Sequence, residues 1–303
     1  MIPSNQKMLK IVAECSNFAG ISTMKGLIAL DMDGTIMVPG RSLSDEVAHY
    51  LESLAASGWQ LAFITGRTFQ MAEPLLRRLN THYLFAVQNG AIILEMPTRQ
   101  LISTKYLDHT IITAMEEICE AEPTDFVLYT GVERNDVCYY RPHCFSDDML
   151  AYAHARALNF QETWKEVGSF DQADVKDFPS IKCFGLRASA DRIAAQIEQR
   201  LGLHVPVIRD PFHPDYYVVQ ATHAEVNKGA ALQDIQKRIK AEGVIIAAGD
   251  DLNDCSMLSV ADIRIVMETA PLEMHLTAHV IAPSAERNGI IAGLQAAFGQ
   301  IQR

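Results

Sequence analysis

Gly26-Leu-Ile-Ala-Leu-Asp-Met-Asp-Gly-Thr35 decides how this chain reads. Gly26–Leu30 is a short apolar run of the kind a buried strand leaves in a sequence. Asp31 and Asp33 stand where that strand should run out, with a turn glycine, Gly34, and a hydroxyl, Thr35, directly after. Burying an unpaired carboxylate is costly, so interior strands do not end in paired acids by accident of packing. Acids at i and i+2 tend to point to the same side of an extended chain. The arrangement suits a divalent cation with one acid free for chemistry, which makes Asp31 a candidate nucleophile and Asp33 a candidate proton-transfer group. Asp33-Gly34 alone would be a common turn pair. Asp-x-Asp-Gly-Thr behind four apolar residues is far more specific.

On either side of this stretch the first third of the chain alternates strand and helix. Leu27–Asp31 reads as a strand. Ser44 is a plausible N-cap for a helix running to about Ser57-Gly58, with acids in its first turn. Trp59–Thr65 reads as the next strand, Thr68 to Leu79 as a helix, and Tyr83–Val87 as a third strand. Connections this short predict a layered parallel sheet. Residues 92–220 have a different texture. Helices are expected over Leu107–Glu120, Ser146–Leu158 and Ala190–Leu201. Strands are expected over Phe126–Thr130, Val137–Arg141, Ile181–Arg187, Val205–Arg209 and Tyr216–Ala221, with Pro211 and Pro214 between the last two. Hairpins mixed with helices indicate an α+β module. Residues 160–180 are polar and carry no clear pattern. From Asn227 the alternation returns, with a helix over Lys228–Ala241, strands at Val244–Ala248, Ile263–Met267 and His279–Ala282, a short helix over Leu252–Leu258 and a closing helix over Arg287–Phe298. The expected architecture is an α/β, Rossmann-like parallel-sheet core, residues 24–91 and 221–303, interrupted by an inserted α+β module, residues 92–220. Residues 1–23 form a leader of unknown role, and Met24 is an alternative start.

A chain of 303 residues can bury a substantial core, and its formal net charge of −11 with pI about 5.4 disfavours nucleic acid and anionic membranes as partners. No apolar run approaches the roughly 18 residues needed to span a bilayer. Six cysteines, at positions 15, 119, 138, 144, 183 and 255, form no CxxC pair, which fits reduced thiols in a cytoplasmic protein. The ten histidines show no metal-ligand spacing. Oligomeric state is not legible.

Three further clusters lie at strand ends or helix starts, where open α/β sheets build their sites. Ile64-Thr65-Gly66-Arg67 follows a strand. Thr65 can bind a phosphate oxygen through its hydroxyl, Gly66 lets the backbone approach an anion, and Arg67 either reaches that anion or sits on the surface. Asn227-Lys228-Gly229 starts a helix. A lysine there opposes the helix dipole and makes more sense beside an anion. Gly249-Asp250-Asp251-Leu252-Asn253-Asp254 follows an apolar strand. Its acids repel one another, and a cation is their natural complement, although an acidic helix N-terminus also tolerates Asp.

Together the clusters fit phosphoryl transfer, which needs an in-line nucleophile, a neutralising cation and donors for the equatorial oxygens. Asp31 would attack phosphorus, and Asp33 would protonate the leaving oxygen and then deprotonate water. Mg²⁺, favoured by oxygen-only ligands, would be held by Asp31 and Asp250, and Thr65 and Lys228 would hold the phosphoryl oxygens.

The four clusters, with Gln88-Asn89-Gly90-Ala91 ahead of the inserted module, resemble the haloacid dehalogenase-like hydrolase superfamily, in its Cof-type sugar-phosphatase branch with a type IIB cap. The resemblance covers nearly the whole chain from about Met24. It implies Mg²⁺-dependent hydrolysis of small phosphate monoesters, with Asp31 as nucleophile and Asp33 as acid/base. It also implies that the Asp33 carbonyl ligates the metal, that Asn253 contacts phosphate or substrate, and that Asp254 supports the site. The inserted module becomes a cap that excludes water and selects the leaving group. The basic residues Arg141, His143 and Arg187 of that module read as solvated. The alternatives are a sugar phosphomutase, or a weakly catalytic binding or regulatory member of the same fold.

Overall fold

The computed structural model describes residues 25–210 and 213–301. The leader, Met24, Cys15 and Pro211 lie outside the described residues. Strand β1 (Gly26–Leu30) is buried along its whole length. The helix Asp45–Ala56 follows, and Ser44 caps it by accepting from the Val47 N–H at 3.2 Å. Next comes β2 (Trp59–Ile64). The helix expected over 68–79 is only one turn, Phe69–Ala72, continued as a 3-10 turn, Glu73–Leu76. Pro74 sits at that junction and has no N–H to continue an α-helix. Strand β3 (Tyr83–Val87) follows.

Strands β4 (Ile92–Met96) and β5 (Gln100–Thr104) are a hairpin that the sequence reading assigned to the inserted module. They instead pair antiparallel onto β3 and extend the large sheet. Next, β6 (Leu107–Asp108) takes the start of the expected helix 107–120, which begins only at Ile112 and runs to Cys119. Strands β7 (Phe126–Tyr129) and β8 (Cys138–Tyr140) pair antiparallel, as expected, ahead of the helix Asp147–Asn159. The unpatterned stretch 160–180 holds β9 (Trp164–Glu166) and β10 (Asp177–Phe178). Strand β11 (Ser180–Leu186) leads into the helix Arg187–Leu201, and β12 (Val207–Arg209) and β13 (Tyr216–Ala221) complete the second sheet.

The chain then returns through the helix Lys228–Ile239, β14 (Val244–Gly249), a 3-10 turn Leu252–Asp254 with the helix Cys255–Val260, β15 (Ile263–Met267), β16 (Val280–Ala282) and the helix Ile290–Ile301. Eight strands form one sheet in the order β16-β15-β14-β1-β2-β3-β4-β5, parallel from β16 to β3. The strand order places β1 and β14 side by side at the centre of the six parallel strands. Alternate residues of β1 pack on opposite faces, because side chains alternate along a strand. Ile28 and Leu30 join Val47, Leu51 and Leu294, and Leu27 and Ala29 join Leu232, Ile235 and Met257. Six strands form the second sheet, in the order β12-β13-β11-β7-β8-β9. Its helix-covered face holds Ile181 and Cys183, and the opposite face holds Tyr129 and Phe184. Among the described residues no helix is long and apolar enough to cross a membrane.

Candidate active site

Asp31 sits one residue beyond β1, where its N–H still donates to the Ala248 carbonyl of β14 at 3.0 Å. That last sheet hydrogen bond fixes the backbone from which the buried carboxyl projects. Lys228, the first residue of its helix, reaches the same spot. Asn227 caps that helix by accepting from the Ala230 N–H at 2.8 Å, a cap the sequence reading did not identify. The Lys228 ammonium donates to Asp31 Oδ1 and to Asp254 Oδ1, at 2.5 Å each. This resolves the oddity of a lysine at a helix start: it is 2% exposed and faces two acids.

Asp254 spends its second oxygen on backbone. Its Oδ2 accepts from the N–H groups of Asp250, at 2.9 Å, and Asp251, at 3.1 Å. Both oxygens are therefore engaged, and its part is to hold Lys228 and the turn after β14. Asp250 Oδ1 accepts from the Thr35 hydroxyl at 3.1 Å. The carboxylates of Asp31, Asp250 and Asp254 each present an oxygen within 4.8 Å of the others.

Burial and mutual repulsion shape the charges here. Burial pushes the Asp31 carboxyl up to about 7, with Lys228 pulling against the rise. Burial, then the charges of Asp31 and Asp254, push Asp250 up to about 9. Burial opposes the Lys228 charge, but Asp254 and Asp31 outweigh it and hold the ammonium well above the ordinary lysine value. Three carboxylates, those of Asp31, Asp250 and Asp254, thus stand around one lysine, which bonds only Asp31 and Asp254, so the oxygen cluster is short of positive charge. A hard cation such as Mg²⁺ fits such a donor set.

Thr65 follows β2 directly, and its N–H donates to the Ala86 carbonyl at 2.9 Å while its hydroxyl accepts from the Arg67 N–H at 3.2 Å. Arg67 does not sit on the surface. It grips Asp33, with Nε 2.5 Å from Oδ2 and Nη2 2.6 Å from Oδ1. Gly66 passes under the second sheet, where Gln220 Nε2 donates to its carbonyl at 3.3 Å.

Asp31, Asp33, Thr65, Gly66, Lys228, Asp250 and Asn253 all line one cavity of ≈ 210 Å³ between the two sheets. Asp254 lies behind it. Residues more than two hundred positions apart in sequence thus meet on one floor. The opposite wall comes from the second sheet and the end of the helix Asp147–Asn159, through Arg156, Phe160, Lys182, Ile208, Arg209 and Val218. The sequence reading identified none of these six. The basic residues it did weigh lie elsewhere: Arg141 pairs with Asp125 and Glu116, and Arg187 with Asp191.

Comparison with known proteins agrees with this geometry. The sequence profile of the haloacid dehalogenase-like hydrolases matches residues 28–294. An HMP-PP phosphatase of Serratia proteamaculans is 24% identical, covering 82% of this chain and 85% of its own. A 5-amino-6-(5-phospho-D-ribitylamino)uracil phosphatase of Bacillus subtilis is 24% identical, covering 92% of this chain and 99% of its own. The solved structure of a subclass IIB sugar phosphatase superposes with a TM-score of 0.70 at 18% identity, covering 91% of this chain and 99% of that one.

Proposed function

This chain belongs to the haloacid dehalogenase-like hydrolases, as a phosphatase of the Cof type, and from that premise we propose that it hydrolyses small phosphorylated metabolites through an aspartyl-phosphate on Asp31. The observation that carries the reading is the Lys228 ammonium placed between Asp31 and Asp254 on the floor of the shared cavity.

Lys228 occupies Asp31 Oδ1 and leaves Oδ2 to attack phosphorus as the bond to the leaving oxygen breaks. Asp33, two residues on, gives that oxygen its proton, then takes a proton from the water that attacks the aspartyl-phosphate. The water's oxygen ends on phosphate, and Asp31 is restored. Thr65, Lys228 and Asn253 donate to phosphoryl oxygens, and the backbone at Gly66 allows their close approach. Asp31, Asp250 and the Asp33 carbonyl would hold Mg²⁺, which supplies positive charge against the phosphoryl oxygens when bound. Residues of the second sheet close the cavity over the ester and exclude bulk water, the part of a cap.

The test is Mg²⁺-dependent phosphate release from p-nitrophenyl phosphate. Asp31→Asn is expected to abolish it, and undiminished turnover in that variant would overturn the nucleophile assignment. Asp33→Asn is expected to slow both half-reactions, and trapped phosphoenzyme would report the second. Release of phosphate to water, with no stimulation by a sugar bisphosphate, distinguishes hydrolysis from mutase chemistry.

A further inference from the structure

Lys182 lies in the middle of β11, opposite Gln220 of β13 and Val127 of β7. Its strand neighbours Ile181 and Cys183 pack under the helices. By alternation Lys182 therefore faces the other way, toward the core site, where it lines the cavity. The residue is 3% exposed. A lysine buried to that degree normally has a partner. Yet its ammonium donates to no side chain or carbonyl among the described residues, and rests 4.5 Å over the centroid of the Tyr129 ring.

Two nearby acids each give one oxygen to another partner, and the second oxygen of each, Glu162 Oε1 and Asp136 Oδ1, has no hydrogen bond, to Lys182 or to any other described residue. Glu162 Oε2 accepts from the Trp164 indole N–H at 2.8 Å and from the Tyr129 hydroxyl at 3.4 Å. Asp136 Oδ2 accepts from the Gln70 N–H at 2.7 Å. Burial brings the lysine down to about 8, with Glu162 pulling against the fall, so it still carries its proton at neutral pH.

The charge of the lining is divided between the two sheets. Its acids, Asp31, Asp33, Asp250 and Asp251, all come from the core. The ionisable groups opposite are Lys182, Arg156 and Arg209, and none is an acid. Of these, Arg156 gives Nη1 to Asp210 at 3.0 Å and keeps a buried Nε without a hydrogen-bond partner, and Arg209 gives Nε to the Pro214 carbonyl at 3.0 Å. Lys182 alone of the three offers all its donors. Phe160, Ile208 and Val218 around it give apolar contact to a carbon skeleton.

We propose that Lys182 selects the leaving group, and that the preferred ester is one whose alcohol carries a second acidic group, a carboxylate or a further phosphate, seated on this ammonium while the scissile phosphoryl group sits on Asp31. The inference deepens the phosphatase reading and rests on it. A charge-assisted hydrogen bond to a desolvated ammonium is strong, and an ester lacking the acid leaves the lysine unpaired.

The experiment compares esters within pairs. In the carboxylate arm 3-phosphoglycerate is set against glycerol 3-phosphate, and in the phosphate arm fructose 1,6-bisphosphate against fructose 6-phosphate. Each compound is also run as a competitor of p-nitrophenyl phosphate, so that poor substrates are read as inhibition constants. The acidic member of at least one pair is expected to be favoured about tenfold or more. Lys182→Met is expected to bring that ratio close to one, chiefly through KM, and Lys182→Arg to retain most of it. Both members are measured on the same variant, so a general loss of activity cancels in the ratio. A flat ratio, or preference for the neutral member, in both arms of the unaltered protein overturns the proposal whether or not the variants fold. So does an undiminished ratio in Lys182→Met. Failure to hydrolyse p-nitrophenyl phosphate or any ester with Mg²⁺ would instead remove the phosphatase reading, and calorimetric binding of the same pairs would then decide the role of Lys182.

Discussion

Gly34 and Asp250 fit against each other with no room for a side chain: a Cβ on Gly34 would stand 2.1 Å from Asp250 Oδ2. Gly34 also has φ +77°, a conformation L side chains rarely adopt. The turn after β1 and the turn after β14 are thus shaped to each other, and the contact falls on a carboxylate of the proposed cation site. Gly34→Ala is expected to push Asp250 aside and lower turnover of p-nitrophenyl phosphate on the order of a hundredfold, since an ångström of misplacement is enough. Weaker Mg²⁺ binding by calorimetry should accompany the loss. Unchanged turnover across a Mg²⁺ titration would show that the Asp250 carboxylate is not needed where it stands.

Lys228 is the single cation between two buried acids, so its removal should cost stability as well as turnover. Lys228→Met leaves Asp31 and Asp254 without their shared partner. Breaking a buried ion pair from one side costs roughly 3–5 kcal/mol. Urea denaturation of the metal-free protein should show a loss of that order, and Lys228→Met combined with Asp254→Asn should recover part of it. A single variant as stable as its parent would mean that the two acids do not depend on the lysine.

The core site was legible because each part is local. A strand end, a short polar motif and a helix start each occupy a handful of consecutive residues, and the α/β fold brings strand ends together. The wall over the site has no such compactness. Arg156 and Phe160 end one helix, Lys182 sits in β11 and Arg209 in β12, and only the placement of the second sheet over the first brings them to the site. One signal was present: Lys182 interrupts the apolar strand Ile181-Lys-Cys-Phe184, and a lysine in such a strand needs a reason to be there. The hairpin 92–104 was missed because its loop, Pro97-Thr98-Arg99, lacks the Asn-Gly or Gly signal of a tight turn, and Arg99 takes the positive φ of +57° itself.

The raised carboxyls predict how pH and metal act together. A carboxyl whose folded pKa exceeds its unfolded value makes the folded state bind more protons, so stability falls as pH rises through the shifted range. The fall begins near the unfolded carboxyl value of about 4 and ends at about pH 7 for Asp31 and about pH 9 for Asp250 in the metal-free protein. Mg²⁺ has to displace those protons, so its affinity should climb across the same interval. Melting temperature without metal is expected to drop from pH 6 to 9, while the increment given by Mg²⁺ grows. An increment that stays constant, or shrinks, with rising pH would rule out Asp31 and Asp250 as the groups the metal engages.

Arg67 holds Asp33 through two hydrogen bonds, and in that grip the carboxylate can only accept. Asp33 can give a proton to the leaving oxygen only after the guanidinium moves. A phosphate ester offers the inducement, because a phosphoryl dianion beside Thr65 is a richer anion than one carboxylate and takes the same planar fork. The Arg67 guanidinium stands over the Phe160 ring, 5.6 Å from its centroid. Arg67 is therefore expected to pass from acid to substrate as the ester arrives. Arg67→Met is expected to raise KM for p-nitrophenyl phosphate about tenfold, the loss of a charged hydrogen-bond pair. It should weaken inhibition by inorganic phosphate by a similar factor, and Arg67→Lys should recover only part because it lacks the fork. If the arginine serves Asp33 alone, kcat and its pH profile will change while KM and phosphate inhibition stay where they were, and the transfer from acid to substrate does not occur.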